Sequence, residues 1–138
     1  MLFPNTVVYA LRAMGWLALV PEGRRVPSST LSQVTNIPSH YLSKVMRRLV
    51  AAGLLSARKG HGGGFALARA PEHITIEEIL LAVDFRIEPE TCAFGWGRCD
   101  SDEPCPLHPV WGRLKVAFTH WSQTTTLAEV GSYPTGPA

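Results

Sequence analysis

Three thiols and one imidazole stand close together, spaced Cys92-x6-Cys99-x5-Cys105-x2-His108. Thiolates are soft donors that suit iron–sulfur clusters or zinc. A cluster iron can take histidine in place of a thiolate, and zinc accepts three cysteines and a histidine in a closed tetrahedron. The thiols lie among Arg98, Asp100, Asp102 and Glu103 rather than in an apolar run, and the chain has no other cysteine. A metal or cluster site is therefore preferred over three unrelated small hydrophobes, and spacing alone leaves zinc and iron–sulfur level. Gly95, Trp96 and Gly97 let the loop turn tightly, while Pro106 and Pro109 bracket His108. His120 reads as a surface or interface residue. Cys105 and His108 are near enough for a thiol nucleophile and its base, but no orienting group or oxyanion motif accompanies them. The chain reads as a binding protein and not an enzyme.

A second set of residues suits polyanion binding. From Arg12 to Arg69 there are nine basic residues and one acid, a net +8; from Ala70 onward four basic residues face ten acids, a net −6. The formal +2 of the whole 138-residue chain conceals this division. Ser39, His40, Ser43, Lys44, Arg47 and Arg48 fall off an apolar stripe at helical spacing. Arg58, Lys59 and His61 flank or occupy a glycine-rich hairpin tip. A helix fits the major groove of duplex DNA, and a basic tip can reach the minor groove or the backbone. Ser39, His40, Ser43 and Lys44 suit base edges, and Arg47 and Arg48 suit phosphates. The bland alternative is a solvated basic face. Neither G-x-G-x-x-G nor a P-loop is present, which disfavours a phosphate-binding enzyme.

The elements that must position these residues follow from periodicity and punctuation. Pro4 opens a helix carrying Val7, Ala10, Leu11, Met14, Leu17 and Ala18, which Pro21 and Gly23 end. Pro27, Ser28 and Ser29 form a loop with a helix cap. Leu31 and Val34 mark a short helix stopped at Asn36. Pro38 and Ser39 open a third helix with Tyr41, Leu42, Val45, Met46, Leu49 and Val50 buried, and Gly53 stops it. Strands at 54–58 and 65–68 enclose the tip. Thr75 and Glu78 form a capping box for a helix to about Val83. Residues 86–109 form an irregular loop. A last helix begins at about Leu107 or Val110 and ends at Thr124, with Trp111, Leu114, Ala117, Phe118 and Trp121 on one face. That face is large for a small monomer to expose, so Trp111, Leu114, Phe118 and Trp121 are candidate dimer contacts, with packing on their own domain as the alternative. The expected class is mainly α with a small β-hairpin: a winged helix-turn-helix plus a long C-terminal dimerisation helix. The expected units are 1–85 for DNA, 86–109 for the cluster loop, 110–130 for dimerisation and a disordered tail at 131–138.

No run approaches the roughly 20 apolar residues of a membrane span, and no secretory signal is visible. Three cysteines within 14 residues are not a secreted disulfide framework. A cytoplasmic chain with reduced thiols is expected.

Four stretches together resemble the Rrf2 family of bacterial winged-helix transcription regulators, over nearly the whole chain. They are Tyr9-Ala10-Leu11-Arg12-Ala13; Ile37 to Leu49 with Gly53-Leu54; Arg58 to Phe65; and the cysteine triplet. The resemblance implies a homodimer crossed through the C-terminal helix, a palindromic operator and a cluster near the interface. It implies sensing of redox state, nitric oxide or iron–sulfur status. IscR-like members hold a [2Fe-2S] cluster with three cysteines and a histidine, a role that falls on His108; NsrR-like members hold [4Fe-4S]. Some members draw an acidic ligand from the partner's first helix, but the matching position here is Val8, and nearby Asn5 is a poor ligand. The first cysteine gap also differs from that of IscR-like members. The resemblance favours [2Fe-2S] over [4Fe-4S], with a zinc-stabilised DNA-binding regulator as the alternative and a small thiol or cluster redox protein behind it.

Overall fold

Pro4 cannot donate a backbone hydrogen bond, so it sits where none is needed: it caps the first helix, α1 (Asn5–Leu17). In the computed structural model, which describes residues 3–87 and 106–131, α1 buries Val7, Ala10, Ala13, Met14 and Leu17 in the core. Next come α2 (Ser28–Thr35) and α3 (Ser39–Ala51), the hairpin strands β1 (Leu55–Arg58) and β2 (Gly64–Leu67), and a 3-10 turn (Pro71–His73). Then follow α4 (Ile76–Ala82), α5 (His108–Thr124) and α6 (Leu127–Gly131). The fold is mainly helical with one antiparallel hairpin, as the sequence leads one to expect. Both strands lie within a residue of the expected spans.

Local chemistry explains most boundaries. Asn36 adopts the left-handed conformation at φ 55° and stops α2. Gly53 does the same for α3 at φ 79°, with Gly53 N–H donating to the Val50 carbonyl and Leu54 N–H to the Leu49 carbonyl. That is a Schellman closure, and the residue past the glycine, Leu54, is buried as the motif requires. The capping box at α4 forms, with Thr75 Oγ1 accepting from Glu78 N–H at 3.3 Å and Glu78 Oε2 accepting from Thr75 N–H at 3.0 Å. The expected serine cap on α2 does not form. Pro27 takes the cap position, and the helix begins at Ser28 without a side-chain cap.

The stretch expected as one dimerisation segment, 110–130, contains two helices. Between them Thr125 is extended, Ile76 N–H donates to the Thr125 carbonyl at 3.0 Å and Leu127 N–H to the Ile74 carbonyl at 2.8 Å. Thr75 and Thr126 form an antiparallel bridge. The chain thus turns back, and α6 buries Leu127 among α1 and the 3-10 turn. The core holds Leu31, Leu42, Met46, Leu49, Ile74, Ile79 and Leu127, all essentially inaccessible to solvent. Among the described residues, no helix is long and apolar enough to cross a membrane.

Candidate nucleic-acid interface

The recognition face is built by what α3 buries. Leu42, Val45, Met46 and Leu49 are turned wholly inward and Val50 packs partly buried against the core, so the polar positions must face solvent. Ser39, His40, Ser43, Lys44, Arg47 and Arg48 are all exposed. Tyr41, expected in the buried stripe, is 48% exposed. It stacks on His40 with ring centroids 4.2 Å apart and meets Tyr9 of α1 at 6.0 Å. Its ring lies at the edge of the stripe, where a phenol hydroxyl can stay wet.

The turn before α3 is pinned from both sides. Ser32 Oγ donates to the Ile37 carbonyl at 2.6 Å, Ile37 is buried, and Thr35 Oγ1 donates to the Leu31 carbonyl. Arg12 of α1 donates to the Thr35 carbonyl at 3.1 Å, while its guanidinium lies 5.8 Å from the Tyr9 ring. Ser43 Oγ donates back to the Ser39 carbonyl at 3.0 Å. Arg48 differs from its neighbours: its guanidinium reaches the Val83 carbonyl at the end of α4, at 3.4 Å. It therefore connects α3 to α4, while Lys44 and Arg47 stay on the open face.

The hairpin pairs Leu55 with Leu67 through Arg58 with Gly64, and its tip exposes Lys59 and His61. Arg58 is exposed at the end of β1. Gly64, at φ 126°, lies so close to the chain at Val26 that an added Cβ would stand 2.5 Å from the Val26 carbonyl. Val26 pairs with Phe65 as a third, one-residue strand. Arg25, which no sequence pattern singles out, donates to the carbonyls of Ser56 and Gly64, each at 3.2 Å.

Of the proposed ligand set, Cys92, Cys99 and Cys105 lie outside the described residues, as do most of the loop at 86–109 and the tail expected at 131–138 apart from Gly131, which ends α6. His108 is half-buried at the first position of α5, followed by Pro109. Among the described residues no three His, Cys, Asp or Glu side chains come together as a metal site. Of the proposed dimer contacts, Leu114 and Trp121 are exposed at 57% and 41%. Phe118 is half-buried, its ring 6.0 Å from Phe3, 6.2 Å from Phe85 and 5.5 Å from Trp121. Trp111 is half-buried beside the buried Lys115, whose ammonium lies 5.9 Å from the ring.

Two helices across a pinned turn, a polar recognition face and a braced basic hairpin define a winged helix-turn-helix protein of the DNA-binding regulator class. The chain matches the Rrf2 family, described as iron-dependent transcriptional regulators, over residues 3–132, and it belongs to that family. It is 33% identical over 122 residues to the transcriptional regulator IscR of Escherichia coli, covering 88% of this chain and 75% of IscR. The structure of CymR, the global cysteine regulator of B. subtilis, superposes with a TM-score of 0.81 at 26% identity, covering 96% of this chain and 98% of CymR. IscR of T. potens shares the fold at a TM-score of 0.74 and 21% identity, covering 94% of this chain and 85% of that one.

Proposed function

We propose that this transcription regulator works as a homodimer that reads a palindromic operator, its affinity set by a [2Fe-2S] cluster on Cys92, Cys99, Cys105 and His108. The observation that carries the DNA part is the exposed row Ser39, His40, Ser43, Lys44 and Arg47, set off a wholly buried stripe and accompanied by the basic wing tip. The likeness to E. coli IscR and the chemistry of the donor set support the cluster part. Three soft thiolates and an imidazole fit a [2Fe-2S] centre. Such a centre supplies iron that responds to oxidants and nitric oxide.

The chain's own residues can transmit that response. His108 begins α5, so fixing its imidazole fixes the start of that helix. The other end of α5 is tied at Thr125 to the start of α4, and the end of α4 receives Arg48 from α3. A change at His108 therefore has a continuous path of helices and hydrogen bonds to the recognition helix. Such coupling amounts to a bias between two dimer arrangements.

Purified without oxygen, the protein should be coloured and hold iron and sulfide in equal amounts. A colourless protein with stoichiometric zinc sinks the cluster part and leaves the DNA part standing. The DNA part fails if neither the metal-free nor the metal-loaded protein selects any sequence from a random duplex pool.

A further inference from the structure

We infer that Arg25 is the positioning residue of the wing, a strap that fixes the hairpin against the helix-turn-helix so that Lys59 and His61 meet the duplex in register. The inference rests on the reading of the hairpin as a DNA-contacting wing.

A two-stranded hairpin is marginal in water by itself, and this one carries a tip rich in glycine. Something must hold it. Arg25 spans both strands, donating from one guanidinium nitrogen to Ser56 of β1 and Gly64 of β2. Val26, the next residue, exchanges backbone hydrogen bonds with Phe65 at 2.8 and 2.9 Å. Gly64 permits this approach, because any side chain there would collide with the Val26 carbonyl. Pro27, one residue further on, caps α2. The strap therefore joins the wing to the first residue of the helix-turn-helix through three consecutive positions. The charge of Arg25 is spent on backbone carbonyls within the fold. Lys59, at the exposed tip, keeps its ammonium in solvent.

The test compares Arg25→Met with Lys59→Ala and the double variant in the full chain. Met keeps the aliphatic stem and removes the donors. The probe is a duplex selected from a random pool by the unmodified protein. Arg25→Met should lower affinity about tenfold, and adding Lys59→Ala should cost less than about twofold more, because a displaced tip no longer contacts phosphate. Trypsin should cut after Arg58 or Lys59 faster in Arg25→Met than in the unmodified chain, with little change in melting temperature. Losses that multiply across the two sites would make Arg25 a direct phosphate contact and overturn the strap, as would an unchanged rate of hairpin cleavage. If Lys59→Ala alone leaves affinity intact, the wing's DNA role fails, and the cleavage rate still decides the strap. Arg25→Lys provides the same comparison should the methionine variant not fold: its shorter reach must also open the hairpin to trypsin.

Discussion

On the proposed docking, Lys59 meets phosphate and Ser43 faces base edges, and the two make different errors when removed. Lys59→Ala should weaken binding to all duplexes alike and reduce the slope of log affinity against log salt by about 1, since one fewer counterion is released. Ser43→Ala should leave that slope unchanged and alter base preference at one position of the half-site, which selection from a random pool would reveal. Equal loss on every sequence with Ser43→Ala would remove it from base readout. The exposed polar set on α3 was legible because it is the complement of a buried stripe with period 3.6. Tyr41 was not, since a tyrosine at the stripe's edge satisfies the same period whether its ring is covered or wet. Arg12 and Arg25 were illegible for a different reason. Each donates to a backbone carbonyl more than twenty residues away, at Thr35 for the first and at Ser56 and Gly64 for the second, and local pattern carries no trace of such pairing.

At the scale of elements, the start of α4 is set by charge as well as by pattern. Burial acts to raise the Glu78 carboxyl, but the Thr75 amide, the Arg69 guanidinium at 2.9 Å and the Thr75 hydroxyl together hold it below the usual glutamate value. A depressed carboxylate stabilises the fold above its unfolded pKa, and that contribution disappears as pH falls through the folded one. Glu78→Gln keeps a capping-box side chain and removes the charge. Because both partners are more than a third exposed, the difference at neutral pH should be only a few tenths of a kcal/mol. Urea unfolding at pH 7 and pH 3 should show the two proteins converging at the lower pH; a gap that persists there would assign the effect to packing. A second pair with the same spacing sits at the start of α6, where Glu129 Oε2 accepts from Thr126 N–H at 2.6 Å. The Thr75 box was visible in the sequence because a seven-residue apolar helix follows it. The Thr126 pair carries no such signal, because five residues are too few to show a period. The break it marks, at Thr125, depends on the bridge between Thr126 and Thr75, far back in the sequence.

At the scale of the molecule, α5 carries more apolar surface than one fold uses. Its wide apolar face could be read as a single stripe in the sequence, yet the structure divides it. Phe118 packs inward with Phe3 and Phe85, while Leu107, Val110, Leu114, Ala117 and Trp121 are exposed. Their 3-4-3-4 spacing is the one that paired helices use, with Val110 56% and Leu114 57% exposed. Sequence alone could not make this division, because both rows fall within the arc that a helix of period 3.6 can bury and only the neighbours of Phe118 decide between them. On the proposed dimer, Leu114→Glu places a charge in the seam and should convert the protein to a monomer by sedimentation, with little change in the far-ultraviolet spectrum. A monomer holds one recognition helix, so it should lose affinity for a two-half-site duplex and bind a single half-site as the unmodified protein does. Phe118→Ala should do the reverse, lowering thermal stability while leaving a folded fraction that still dimerises. If Leu114→Glu remained dimeric, the seam would lie elsewhere on the surface.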